Sequence, residues 1–309
     1  ELHAHLNGSI SSSTIAKLYC LLIAEGNNAS TEGTLRKDSI KLQKPTSMED
    51  VFRMFPIIHS LTTTTQAVRM ATKDVIKEFS DDRVVYLELR STPRACPGMS
   101  KEQYVAAIID GMIEGSEEFE IVTRLLLSID RRQSVEDAEQ TVKIAAADKS
   151  GLIAGVELSG DPSIDGRKFL SVLQQARDFG LKVAVHLAEV TIQLEEVHDF
   201  LAFRPDRIGH GTFLHIHEAF VNSVIQQRIP LEICLTSNVM SMTTPSIVDS
   251  HVRFWMDKSV PFCFCTDDKG MMDCELSGEL WKASNAFGLT VDDLRKLSID
   301  ALEISFLEK

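Results

Sequence analysis

The stretch KVAVHLAE, Lys182 to Glu189, runs through a longer segment into RIGHG, Arg207 to Gly211. In the first run apolar and β-branched residues follow one another with little alternation. That is the composition of a strand covered on both faces, as in a parallel sheet flanked by helices. Each run closes on groups able to do chemistry, His186 with Glu189 in the first and His210 in the second. Outward from this pair the pattern repeats. Strands are expected at Glu1 to Leu6, Val84 to Leu89, Ile121 to Ile129, Ile153 to Leu158, Lys182 to Leu187, Arg207 to Gly209, Leu231 to Leu235 and Pro261 to Cys265. Amphipathic spacing predicts helices between them, for example Thr65 to Phe79, Lys101 to Glu118, Ser134 to Ala147 and Gly166 to Phe179. Such units suggest a (β/α)8 TIM barrel, with an open doubly wound sheet as the alternative. The polar residues separate the two. Nearly every apolar run ends in a reactive group: His3 and His5, Glu88 with Arg90, Asp130, Gly160 with Asp161, His186 with Glu189, His210, Ser237 with Asn238, and Asp267 with Asp268. Barrel enzymes draw their sites from many strand ends, whereas an open sheet concentrates its site at one switch point.

Tyr19 to Met48 departs from the repeat, with Gly26, Asn27, Asn28 and Gly33 before Pro45. It reads as a loop and short extra helices inserted after the first strand, either a solvated connection or a lid. No repeat or low-complexity tract divides residues 1–309, so a single barrel domain is expected. A net charge of −13 argues against a nucleic-acid polymer or an anionic membrane as partner, while one small phosphate needs only a local positive patch. Six cysteines without Cys-x-x-Cys spacing remove structural-zinc and thioredoxin-like readings, and Cys263 and Cys265 share a strand face in the core. The unpaired look of the cysteines points to the cytosol. A monomer is expected. Glu1 already lies inside the first expected strand, so the natural N-terminus is expected to be missing.

Histidines one apart on a strand point to the same face, so His3 and His5 can reach one ion. A hydrolytic zinc needs three or four nitrogen and oxygen ligands, and His3, His5, His186 and Asp267 supply them. Glu189 lies near enough to protonate a substrate nitrogen, and His210 and Asp268 can orient and deprotonate water. A lone strand-end histidine is more often a satisfied hydrogen-bonding residue; joint placement at strand ends is what singles out this set. His215 and His217 have the same spacing but follow the Gly-His-Gly turn, and they read as surface, as do His59, His198 and His251 in helical stretches.

Six segments, ELHAHLNG at Glu1 to Gly8, LSGD at Leu158 to Asp161, HLAE at His186 to Glu189, RIGHG at Arg207 to Gly211, LTSN at Leu235 to Asn238 and TDD at Thr266 to Asp268, resemble the adenosine deaminase family in order and spacing. The resemblance covers nearly the whole chain. It implies a zinc-dependent barrel with His3, His5, His186 and Asp267 on the metal, Glu189 protonating the purine ring nitrogen, His210 and Asp268 handling the water, and the Gly160 backbone contacting the purine. Hydroxide would add at C6 and the exocyclic amine would leave. The fourth strand ends in Ser159 and Gly160 rather than the metal-bridging lysine of related amidohydrolases, so one Zn2+ per chain is expected. The cysteine-ligated deaminase motif is absent.

Two departures bear on the substrate. Asn7 stands where adenosine-specific members of this family carry aspartate, and Lys269 stands where proline is common. Both move local charge in the positive direction, as a 5′-monophosphate requires. Ser91, Thr92 and Arg94 offer hydroxyls and a further cation on the same rim, while Arg90 pairs with Glu88 or another carboxylate. The chain therefore resembles the adenosine deaminase-like branch that hydrolyses N6-methyl-AMP and other N6-substituted AMPs to IMP and an alkylamine. An adenosine deaminase sharing the same core residues is the alternative. A long AMP deaminase and a non-catalytic barrel binding protein are more distant ones, the last disfavoured because no ligand and no proton donor is missing.

Overall fold

The computed structural model describes residues 1–24 and 48–307. Its strands are β1 (Ala4–His5), β2 (Tyr86–Ser91), β3 (Val122–Asp130), β4 (Ile153–Ser159), β5 (Lys182–Leu187), β6 (Arg207–His210), β7 (Leu231–Ile233) and β8 (Phe262–Phe264). Helices α1 (Ser12–Ala24), α2 (Met48–Leu61) and α3 (Thr65–Asp81) lie between β1 and β2. One helix follows each strand from β2 to β6: α4 (Lys101–Phe119), α5 (Val135–Ala146), α6 (Leu170–Asp178), α7 (Val197–Phe203) and α8 (Glu218–Gln227). The short α9 (Leu235–Met240) and α10 (Val252–Asp257) precede β8, and α11 (Leu276–Phe287) and α12 (Val291–Glu303) follow it.

All neighbouring strands pair in parallel and in chain order. A parallel bridge between Ala4 and Asp267 closes the ring: the His5 N–H donates to the Asp267 carbonyl at 2.9 Å, and the Asp267 N–H donates to the His3 carbonyl at 2.9 Å. The expected (β/α)8 barrel with extra helices after the first strand is therefore present, and the open sheet is excluded. The first strand is shorter than expected. Its hydrogen bonds to β2 nonetheless extend to both sides, from the Glu88 N–H to the Glu1 carbonyl and from the Leu6 N–H to the Arg90 carbonyl. The run expected to be a strand from Leu231 to Leu235 stops at Ile233, because Leu235 opens α9. The helix expected from Gly166 begins as a 3-10 turn at Arg167–Phe169 before α6. Of the irregular region Tyr19 to Met48, residues 19–24 finish α1, and the lid or loop expected over 25–47 lies outside the described residues.

Local sequence sets the helix starts. Ser100 caps α4 in a reciprocal box with Gln103, and Thr64 and Ser134 cap α3 and α5 through their hydroxyls, satisfying amides that have no partner inside the helix. Strand alternation then sorts side chains between two environments. Leu87 and Leu89 of β2 join the large apolar cluster shared with α3 and α4, including Val75, Ile76 and Ile108. Glu88 and Arg90 face the other way, fully buried, and meet Glu157 of β4, Arg207 of β6 and Glu232 of β7. Side chains of non-adjacent strands can meet like this only across the interior of the ring. Two small apolar clusters share that interior, Leu126 with Ala184 and Phe306, and Leu2 with Tyr86, Cys234, Cys263 and Cys265. Cys263 and Cys265 are core as expected, their Sγ atoms 3.5 Å apart.

Candidate active site

At the C-terminal ends of β1, β5 and β8 the structure brings His3, His5, His186 and Asp267 together, with one donor atom from each within 4.8 Å of the others. His5 Nε2 and His186 Nε2 are 3.3 Å apart, and Asp267 Oδ1 lies 3.3 Å from His5 Nε2 and 3.4 Å from His3 Nε2. A tetrahedron with ligand bonds of about 2.0–2.1 Å has edges of about 3.3–3.4 Å, so the spacing fits one zinc-sized ion. Gly209 on β6 makes room for it. A Cβ there would stand 3.0 Å from His3 Cε1 and 3.4 Å from His186 Nδ1. Asp267 and His210 hold left-handed backbones, with φ of 65° and 58°, as does Ala188 at 54° between His186 and Glu189. Such backbone costs of order 1–3 kcal/mol per residue and concentrates at functional sites.

The electrostatics also suit a cation. Burial and Arg90 oppose a charge on His3, yet its hydrogen bonds to Asp267 and Glu232 prevail and raise its pKa to about 10. The field that would hold a proton there also favours a dication with neutral imidazoles. Burial, and then the neighbouring histidines, push His186 well below the usual imidazole value; burial also lowers His5.

Around this cluster stand the groups expected to move protons. Glu189 Oε2 and Asp267 Oδ2 each lie 3.8 Å from His210 Nε2. Burial raises the Glu189 pKa above the ordinary carboxylate value, which favours the protonated acid. His210 Nδ1 is 3.0 Å from Asn238 Oδ1, so the ring donates from Nδ1 and turns Nε2 toward Glu189 and Asp267. Burial and the adjacent Asp267 charge push the Asp268 carboxyl well above its usual value. Its side chain lies over Gly8, where a Cβ would sit 1.6 Å from Asp268 Oδ1. Gly160, at φ +98°, has no room for a Cβ, which would fall 2.6 Å from Asp130 Oδ1.

Several supporting residues escaped the sequence analysis. Glu232 Oε2 is 2.8 Å from His3 Nδ1, and Glu157 faces both His5 Nδ1 at 3.6 Å and His186 Nδ1 at 3.4 Å. Burial disfavours both carboxylates, but Arg90, bridging them, outweighs it and holds their pKa values low. Arg90 thus pairs with these two rather than with Glu88. Arg131 donates to the His186 carbonyl at 2.8 Å while fixed by Glu196. His251 corrects its surface assignment: it is buried at the N-terminus of α10, and its Nε2 donates to the His210 carbonyl at 2.9 Å. His215 is half-buried against the Thr212 carbonyl, whereas His217 and His198 are exposed as expected.

The rim residues are more dispersed. Arg94 is half-buried, donates to the carbonyl and hydroxyl of Thr62, each at 2.5 Å, and lies 5.2 Å from the Tyr104 ring. Ser91 is buried with its hydroxyl 2.8 Å from the Tyr104 hydroxyl, and Thr92 and Asn7 are half-buried. Lys269 Nζ is 3.9 Å from Glu275 Oε1 and 5.6 Å from the Phe79 ring, so its charge is shared with a carboxylate. No helix among the described residues is long and apolar enough to cross a membrane.

A barrel that gathers three histidines and an aspartate at its strand ends, with a buried acid beside them, is arranged as a hydrolytic site, and the family comparison makes the protein a hydrolytic deaminase. The adenosine deaminase family model matches residues 1–309, and the chain belongs to that family. The chain is 44% identical to the N6-methyl-AMP deaminase of Homo sapiens over 317 residues, covering 99% of this chain and 88% of the human protein. Identity to the Xenopus laevis N6-methyl-AMP deaminase-L is 43% over 316 residues, covering 99% and 88% of the two chains. Among solved structures, the Arabidopsis N6-mAMP deaminase superposes with a TM-score of 0.89 at 38% identity, over all of this chain and 93% of that one. The Arabidopsis ADAL complex with IMP gives 0.90 at 36% identity, over all of this chain and 92% of that one.

Proposed function

We propose that the protein is a zinc-dependent aminohydrolase of N6-substituted adenosine monophosphates, foremost N6-methyl-AMP, acting as one barrel unit over residues 1–309. The observation that carries the chemistry is the convergence of His3, His5, His186 and Asp267, one donor atom from each within 4.8 Å of the others, with Glu189 and His210 facing each other beside it. When bound, zinc supplies the positive charge that lowers the pKa of an attacking water from about 15.7 to roughly 7. His210, held at Nδ1 by Asn238, accepts the water proton at Nε2, and the Asp268 carboxyl orients the water from the Gly8 side. Glu189, whose pKa is raised by burial, donates to purine N1 as the oxygen attacks C6. The amine then leaves with a proton, so N6-methyl-AMP and water give IMP and methylamine.

The nucleotide reading is supported by the names of the relatives and by the rim. The Asn7 amide adds no negative charge, and among the described residues Arg94 is held by uncharged Thr62 and Tyr104 groups rather than by a carboxylate. Ser91 and Thr92 add hydroxyls, and Lys269 contributes from the flank against Glu275. The Gly160 backbone faces the base. The test is a side-by-side assay with adenosine, AMP and N6-methyl-AMP on zinc-loaded protein. Strong preference for the methylated nucleotide is the expected result, and preference for adenosine would overturn the phosphate assignment while keeping the chemistry.

A further inference from the structure

The buried charges inside the barrel form a continuous relay from the metal ligands to the last turn of the chain. His3 Nδ1 meets Glu232 Oε2 at 2.8 Å, and Glu232 Oε1 accepts from Arg207 Nε at 2.6 Å. Arg207 also holds the Glu88 carboxylate and donates through Nη1 to the Ile304 carbonyl at 3.0 Å. Glu88 Oε1 in turn accepts the Phe306 N–H at 2.6 Å and the Tyr86 hydroxyl at 2.7 Å. The Phe306 ring lies 3.5 Å from the Arg207 guanidinium carbon and packs on Leu126 and Ala184, one inward position before His186 on β5. Arg90 branches the relay sideways, joining Glu232 at 2.5 Å to Glu157 at 2.8 Å, and Glu157 faces the other two ligand histidines. Glu88, Arg90, Glu157, Arg207 and Glu232 are all 0% exposed, so bulk solvent does not reach these bonds.

Three carboxylates against two guanidiniums leave one negative charge in surplus, and the carboxylates nearest the ligands, Glu232 and Glu157, present it to their Nδ1 atoms. A buried carboxylate left without its cation is costly and shifts from its place. That shift would free the His3 ring to rotate and weaken its donor strength. We infer that Arg207 and Phe306, at the opposite end of the barrel, are positioning residues for the metal site: Phe306 seats Arg207, Arg207 fixes Glu232, and Glu232 orients His3. The C-terminal turn is then part of what sets metal affinity. This rests on the zinc reading above.

The test compares zinc affinity, by competition with a chromogenic chelator, in wild type, Arg207→Lys, Phe306→Ala, Phe306→Leu and Phe306→Trp. Phe287→Ala, which truncates a buried ring outside the relay, serves as the stability control. Arg207→Lys keeps the charge but loses the fork that spans two carboxylates, and affinity is expected to fall about 10- to 100-fold, the range for groups that orient metal ligands. Phe306→Ala is expected to lose about 10-fold on the same ground, with Phe306→Trp restoring most of it, and Phe306→Leu gives the same comparison should the alanine variant not fold. Phe287→Ala should lower the melting temperature and leave affinity unchanged. Relay variants that stay within about twofold of a tightly binding wild type, or a control that loses affinity equally, overturn the relay. A wild type that binds no zinc overturns the metal reading itself.

Discussion

Replacing His251 with Gln tests, through acid stability, how tightly the backbone of the site is held. His251 is buried, donates from Nε2 to the His210 carbonyl at 2.9 Å, and has its pKa lowered from 6.5 to about 3, chiefly by burial and against a partial rise from that hydrogen bond. Because the folded protein keeps this ring neutral, its contribution is fully present above the unfolded value near 6.5 and is lost as pH falls from there toward 3. At about pH 5 the unfolded ring has taken up its proton and the folded ring has not, which removes about 2 kcal/mol of stability relative to about pH 7.5. Gln can supply an amide donor to the same carbonyl and does not titrate. The assay is urea unfolding of chelator-treated wild type and His251→Gln at both pH values, followed by the fluorescence of buried Trp255, whose amide bonds to the His251 carbonyl. Wild type should lose about 2 kcal/mol more than the variant on acidification. Equal losses would refute the placement of His251 as a buried neutral donor.

Glu189→Gln should bind zinc as wild type does and lose about 10²- to 10⁴-fold in kcat, measured by the absorbance change on forming IMP. Retained turnover would remove Glu189 as the proton donor. Asn7→Asp should raise KM for the nucleotide by at least about tenfold and leave KM for the nucleoside nearly unchanged, since only the phosphate meets the added charge. Gly209→Ala places a Cβ 3.0 Å from His3 Cε1, so chelator competition should show weaker zinc binding; unchanged affinity would mean the ligand rings are not confined there.

What the sequence made legible and what it hid divide along a physical line. His3, His5, His186, His210, Asp267 and Asp268 stand out because each breaks an apolar run at its end, where a barrel strand opens to its site. Arg131 and Glu196 gave no such signal. They meet across 65 positions of chain, and the atom they restrain is the His186 carbonyl, which every residue type possesses. His251 was misassigned for the same reason, since its partner is also a backbone carbonyl.

Glu88, Arg90, Glu157, Arg207 and Glu232 were in plain view, but their role depends on which face is the interior. A strand reading Leu-Glu-Leu-Arg, as at Leu87 to Arg90, looks half-solvated by periodicity alone. In this barrel the apolar half faces the helices and the charged half is enclosed by the other strands. That enclosure reverses the usual cost of the charges. Each carboxylate keeps a guanidinium partner, and the one unmatched negative charge lies beside the ligand histidines, where a bound dication would satisfy it. The polar interior is thus inseparable from the chemistry at its mouth, and a substitution that made it apolar would be expected to stabilise the empty barrel while weakening its hold on metal.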